Sequence, residues 1–254
     1  MTIVKEIMTR NVMTVSPDDL ATKARSIIRQ HGYSALPVME KDKLVGIVSR
    51  GDILRITSNK TNITVAGIMN SNPETVPVNE DVFNAAKLLL KSRIGQVIVA
   101  ENGTLKGIVS SIDILKRFRR EGYHPIKKKV EDLMIKNPKR AQPEEEVSAI
   151  VDMMYSDHWN GLPVVKDNKV IGVVTRIDLF GKDARISKES GKARTTRIEN
   201  IMRTPTATVN PETSTEEAGK LMTEKGIIML PVVGKKGELL GVVNIENVIA
   251  AYIS

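Results

Sequence analysis

Cysteine is absent from all 254 residues. That excludes disulfides and thiolate metal sites. Aromatic side chains make up only 3% of the chain, so the core must be built from Val, Ile, Leu, Met and Ala. No apolar run is long enough to cross a bilayer, and no membrane span is expected. The first residues, MTIVKEIMTR, put acidic and polar groups where a signal peptide needs a continuous apolar stretch. The three histidines, His31, His124 and His158, stand too scattered for a metal set. These absences point to a cytoplasmic protein, and high Lys and Glu with no Cys is a pattern found in thermophiles.

What is present is positive charge. The formal net charge is +8, which suggests an anionic partner. Its location matters more than its total. Residues 116–129, KRFRREGYHPIKKK, carry seven Lys/Arg and one Glu, a net of +6. Residues 182–197, KDARISKESGKARTTR, carry six Lys/Arg and two acids, a net of +4. The rest of the chain is therefore slightly acidic, and the basicity belongs to connecting segments.

The chain also repeats itself. VKEIMTRNVMTVSP from Val4, VAGIMNSNPETVPV from Val65, VEDLMIKNPKRAQP from Val130 and IENIMRTPTATVNP from Ile198 align on Met8, Met69, Met134 and Met202. A second block, LVGIVSRGDIL, LKGIVSSIDIL, VIGVVTRIDLF and LLGVVNIENVI, aligns on Gly46, Gly107, Gly172 and Gly241. The spacing from Met to Gly is 38, 38, 38 and 39 residues, a regularity that identifies four copies of one unit.

Each copy reads as a lead-in, a brief extended stretch, a helix, two β-runs and a final helix. The extended stretches are Thr14-Val15, Thr75-Val76, Arg140-Ala141 and Thr208-Val209. The helices LATKARSIIRQH, VFNAAKLLLKS, VSAIVDMMYSD and TEEAGKLMTEK space apolar residues three and four apart. The β-runs ALPVM, QVIVA, GLPVV and MLPVV precede a turn and a second run ending in Gly-Ile/Val-Val. The predicted class is mixed α/β, four tandem β-α-β-β-α units. A unit this small buries little surface alone, so the copies must pack on one another.

Leu-Pro-Val, followed by Gly-[Ile/Val]-Val-[Ser/Thr]-x-x-Asp-[Ile/Leu], strongly resembles the CBS domain, and the resemblance covers nearly the whole chain outside the linkers. CBS repeats pair into two-repeat Bateman modules. The resemblance thus implies repeats at 1–60, 61–118, 130–181 and 198–254, with basic linkers at 119–129 and 182–197. Repeats one and two form one module, repeats three and four the other, together a disc in one polypeptide. The architecture is similar to stand-alone archaeal four-repeat proteins and to the gamma subunit of the AMP-activated kinase. Inosine monophosphate dehydrogenases also carry CBS pairs, but their catalytic barrel has no counterpart here.

The block Ser49-Arg50-Gly51-Asp52 sits where a strand turns into a helix. Read from the residues, it is a capping box with an acid suited to the helix dipole. The same geometry attracts phosphate, and a carboxylate's two acceptor oxygens suit a vicinal ribose diol. In the CBS family this hydroxyl and this Asp contact ribose and phosphate. The resemblance carries that role to Ser49 and Asp52, to Ser110, Ser111 and Asp113, and to Thr175 and Asp178. Repeat four has Asn244 and Asn247 instead, which cap a helix but carry no charge, so its site is expected to be empty or weak.

The resemblance also implies that the adenine wall comes from the partner repeat: Thr75, Val76 and Pro77 for the Asp52 site, Thr14, Val15 and Ser16 for the Asp113 site, Val209 and Asn210 for the Asp178 site. Read from composition alone, each such Val is plain core. Arg50 and Arg176 could hold phosphates or be solvated surface residues. His158-Trp159 precedes Leu162-Pro163, where some family members place phosphate-binding side chains. Repeat two has Ile98 where repeat one has Pro37, with Arg93 nearby.

The expected function is regulatory binding of an adenosyl ligand (AMP, ADP, ATP or S-adenosylmethionine) that shifts repeat packing and so a protein partner's surface. The basic linkers have three readings: solvated connectors, a rim favouring ADP or ATP, or a nucleic-acid contact. The last has charge behind it but no aromatic interleaving beyond Phe118 and Tyr123. No Walker loop, nucleophile elbow or metal spacing is visible, so an enzyme is not expected. Monomer and homodimer both remain open.

Overall fold

The computed structural model describes residues 2–54, 62–156, 159–180 and 196–253. Repeat one contains α1 (Ala21–His31), β1 (Ala35–Glu40), β2 (Lys43–Ser49) and α2 (Arg50–Leu54). Repeat two contains β3 (Thr75–Val76), α3 (Val82–Ser92), β4 (Gln96–Glu101), β5 (Thr104–Ser110) and α4 (Ser111–Arg120). Repeat three contains β6 (Ile135–Lys136), α5 (Val147–Ser156), β7 (Gly161–Lys166) and β8 (Lys169–Thr175). Repeat four contains α6 (Thr215–Lys225), β9 (Met229–Val233), β10 (Leu239–Asn244) and α7 (Ile245–Ala250). The mixed α/β class read from the sequence is the one observed.

Each repeat is built on an antiparallel hairpin, β1–β2, β4–β5, β7–β8 or β9–β10. The extended stretch before the first helix adds to one edge in parallel: Val15 against Val38, β3 against Ile98 and Val99, Ala141 against Val164, and Val209 against Val232. A parallel neighbour needs a crossover, and the intervening helix supplies it. In repeat three the segment after Thr175 begins with a 3-10 turn, Asp178–Phe180; the remainder of the stretch where a final helix is expected lies outside the described residues.

The opposite edge of each hairpin is covered by the other member of the pair. Asn70 of repeat two pairs with Ile47 of repeat one, and Thr9 of repeat one with Ile108 of repeat two. Arg203 of repeat four pairs with Val173 of repeat three, and β6 of repeat three with β10 of repeat four. The exchange is reciprocal, and it explains the two sequence markers. A Cβ on Gly46 would lie 2.7 Å from Met69 Sδ and 2.9 Å from the Asn70 carbonyl. Gly107 meets Thr9 and Met8, Gly172 meets Arg203 and Met202, and Gly241 meets Ile135 and Met134 in the same way. The glycine is required because the partner's backbone crosses there. Just upstream, Val4, Val65, Val130 and Ile198 are fully buried in the partner repeats' cores.

The two pairs also meet. Repeats two and four share one apolar core, in which Phe118 stacks on Phe83 (centroids 4.6 Å) and lies 5.5 Å from Tyr252. Repeats one and three keep separate cores, with Leu54 packed against both. Among the described residues, no helix is long and apolar enough to cross a membrane.

Candidate functional site

The Ser/Thr-x-x-Asp blocks stand at the end of the second hairpin strand, two residues beyond the point where the partner's lead-in crosses. In repeat one, Ser49 donates from its backbone N–H (2.8 Å) and its hydroxyl (2.6 Å) to Oδ2 of Asp52, whose own N–H points back at the Ser49 hydroxyl (3.3 Å). Repeat two reproduces this between Ser110 and Asp113 at 2.9, 2.6 and 3.3 Å. Both are capping boxes, so the local reading of the block is correct as far as it goes. The cap occupies one carboxylate oxygen. Among the described residues Oδ1 of Asp52 and of Asp113 accepts nothing, and each Asp is partly exposed.

Repeat three differs. Thr175 donates to Oδ2 of Asp178 from its N–H (2.8 Å) and hydroxyl (2.5 Å). The other oxygen, Oδ1, accepts from Nε of Arg203 at 2.6 Å, and the Asp178 side chain is only 8% exposed. In repeat four Asn244 caps α7 with Asn247 in the acid's place, 3.0 Å from N–H to Oδ1. Arg203, the partner residue that reaches into the Asp178 block, is a contact the sequence reading missed. Its only signal was its position next to Met202, which is the crossing point.

Arg50 and Arg176 are not solvated surface residues. Arg50 donates to the carbonyls of Tyr33 (2.7 Å) and Gly32, at the end of α1. Arg176 donates to Trp159 (3.1 Å) and Met154 (2.9 Å), at the end of α5. Cations suit the C-terminal end of a helix. Burial pushes the Arg50 guanidinium down to about 10, with Asp178 opposing and Arg203 and Arg176 adding to the shift. Repeat one faces repeat three here, with Leu54 packed against both cores, and Arg203 of repeat four reaches the same place through Asp178. Repeat two has Ser111 at this position, buried, with its N–H on the Gly95 carbonyl.

The wall residues divide by exposure. Val15, Val76 and Val209 are buried, whereas Thr14, Thr75, Pro77 and Asn210 are exposed and Ser16 is half-buried. Each stretch borders its own repeat's sheet, a few residues beyond the crossing that brings it past the partner's block. Ser16 and Asn210 also open the turns before α1 and α6, through Asp19 and Thr213.

Of the first basic linker, Lys129 pairs with Glu212 (2.5 Å) and His124 with Glu216 (2.7 Å), both on repeat four. Arg117 pairs with Glu6 at 2.7 Å. Lys116, Arg120, Lys127 and Lys128 are exposed. Residues 182–195 of the second linker and His158 lie outside the described residues. His31 stacks on Tyr33.

Four hairpins with exchanged edges, each ending in a capped Ser/Thr/Asn block, define tandem CBS repeats. The CBS domain family matches residues 4–59, 65–120, 130–184 and 198–254, and the chain belongs to that family. Protein MJ1225 of Methanocaldococcus jannaschii, proposed as an archaeal homologue of the gamma subunit of the AMP-activated kinase, superposes with a TM-score of 0.87 at 21% identity over 98% of this chain and 99% of its own. An uncharacterised conserved protein of Pyrococcus horikoshii superposes with a TM-score of 0.69 at 22% identity, again over 98% and 99%. In sequence, the chain is 30% identical to the inosine-5'-monophosphate dehydrogenase of Korarchaeum cryptofilum over 74% of its length and 44% of the enzyme's. It is 28% identical to the uncharacterised protein MJ1404 of M. jannaschii over 97% of its length and 61% of the relative's. The chain therefore spans about half the length of these two relatives.

Proposed function

We propose that this chain is a regulatory protein that binds an adenosyl ligand (AMP, ADP, ATP or S-adenosylmethionine) between paired CBS repeats and passes the signal to a partner protein. One observation carries the reading. The blocks of repeats one and two have the same geometry, each with one carboxylate oxygen committed to the cap and the other unpartnered among the described residues. A ribose diol is the complementary donor. The crossing strand belongs to the other repeat, so a ligand at the block touches both, and its binding energy can bias their packing. Arg50, at the start of the same turn, supplies cationic character for a phosphate. The repeats act as units at 1–60, 61–118, 130–181 and 198–254, with the wall residues named above lining the clefts. The setting is cytoplasmic, and no catalytic role is assigned.

A nucleic-acid role for the basic linkers is the weaker reading. Lys129 and Arg117 already have carboxylate partners, which lowers the charge available to a phosphate backbone.

A thermal-shift panel tests the proposal, because a ligand specific to the native state raises Tm. Adenine nucleotides or S-adenosylmethionine should stabilise the chain and guanine nucleotides should not. If no adenosyl compound shifts Tm, and a DNA or RNA duplex binds with a steep salt dependence, the linker reading replaces this one.

A further inference from the structure

The residue that opens the first hairpin strand differs in every repeat: Ala35, Gln96, Gly161 and Met229. Each pairs in register with the hydroxyl or amide of its own block, opposite Ser49, Ser110, Thr175 and Asn244 respectively. Directly opposed residues share a face and lie about 4.5–5.5 Å apart at Cβ. This position therefore stands beside the ribose-binding block in all four copies. It also reaches the other repeat. A Cβ on Gly161 would lie 3.1 Å from Thr175 Cγ2 and 3.2 Å from Met229 Cε. In repeats three and four the two positions thus meet between the two blocks.

In repeats three and four that meeting point is apolar and filled. Met229 is 6% exposed and packs with Val173, Val242 and Trp159. Asp178 is already ion-paired to Arg203, and Asn247 is uncharged. In repeats one and two the equivalent pair is Ala35 and Gln96. The Gln96 amide nitrogen, Nε2, is buried and has no hydrogen-bond partner. A buried amide donor left unpaired costs about 1–3 kcal/mol, and this one stands in register with Ser110 of the block, where an acceptor arriving from outside would satisfy it.

We propose that ligand binding is confined to the first pair of repeats, where Gln96 donates to an acceptor of the bound nucleotide, and that the second pair is closed by its own side chains. This rests on the adenosyl-ligand reading above and deepens it by assigning the sites and a recognition residue. Repeats three and four then act as the structural half, which holds the first pair through the core shared by repeats two and four.

Calorimetric titration of the intact chain with AMP, after dialysis from denaturant to remove carried-over ligand, tests the assignment. The expected stoichiometry is at most two per chain. Asp52→Ala combined with Asp113→Ala should abolish all heat. Gln96→Met, which installs the residue repeat four uses, should weaken AMP roughly tenfold. It should leave the unliganded Tm equal to or above that of the parent, because it removes an unpaired buried donor. Gln96→Ala, which fills less space, should weaken AMP similarly. Three or more equivalents, heat that survives in the Asp52/Asp113 double variant, or an unchanged Kd in both Gln96 variants would each overturn the inference while leaving the adenosyl reading intact. No heat in the parent chain would overturn both.

Discussion

At the residue scale the two oxygens of one carboxylate are used unequally. Oδ2 of Asp113 closes a capping box with Ser110, and Oδ1 stays available. Asp113→Ala should weaken an adenosyl ligand at that site by about 1.5–3 kcal/mol, the scale of a hydrogen bond to a charged group, and soften the start of α4 by about 1 kcal/mol. Calorimetry and urea unfolding on the same variant separate the two effects; unchanged affinity with reduced stability would leave the block as a cap alone. A second residue-level expectation concerns Glu246, in the first turn of α7. Burial pushes its carboxyl up from its ordinary 4.5, so the folded chain keeps a proton that the unfolded chain has already lost. The stability linked to this group is full below about pH 4.5 and declines as pH rises through the folded pKa. Glu246→Gln should therefore be more stable than the parent at pH 7, and the gap should narrow at pH 4. Equal differences at both pH values would contradict it.

At the element scale the fold depends on strand edges given away to a partner. β5 accepts the lead-in at Thr9 through two backbone hydrogen bonds with Ile108, at 2.9 and 3.0 Å. A methyl at Gly107 would stand 2.6 Å from the Thr9 carbonyl and 2.9 Å from Met8 Sδ. The Thr9 carbonyl cannot retreat without opening that ladder. Gly107→Ala should cost about 1–3 kcal/mol in urea unfolding, as overpacking does. Gly95→Ala, with nothing within 4 Å of the new Cβ, should stay within about 0.5 kcal/mol. Equal costs would mean that the crossing is not what the glycine is for.

At the scale of the whole molecule the two pairs are joined unevenly. Repeats two and four share a continuous core centred on Phe118, whereas repeats one and three face each other through Leu54, with Arg203 of repeat four reaching the same place through Asp178. Phe118→Ala should cost about 3–5 kcal/mol and lower amide-exchange protection in both α4 and α7. Loss confined to α4 would show that the pairs fold independently.

The repeat, its α/β class and the Ser/Thr-x-x-Asp blocks were legible in the sequence alone. Periodicity, capping chemistry and the Met-to-Gly spacing are local or recur at a fixed interval, and fourfold repetition separates them from chance. The reason for that spacing was not legible, because Met69 meets Gly46 and Met8 meets Gly107 only once two repeats have exchanged edges. For the same cause, the sequence presented Asp52, Asp113 and Asp178 as equivalents. Only the tertiary structure decided that Arg203, 25 residues along the chain, folds back onto Asp178, that Met229 fills the space beside Gly161, and that Gln96 is left with a buried donor and no partner. Pairing and burial depend on which distant segments arrive at the same place, and a single strand's pattern does not encode its neighbour.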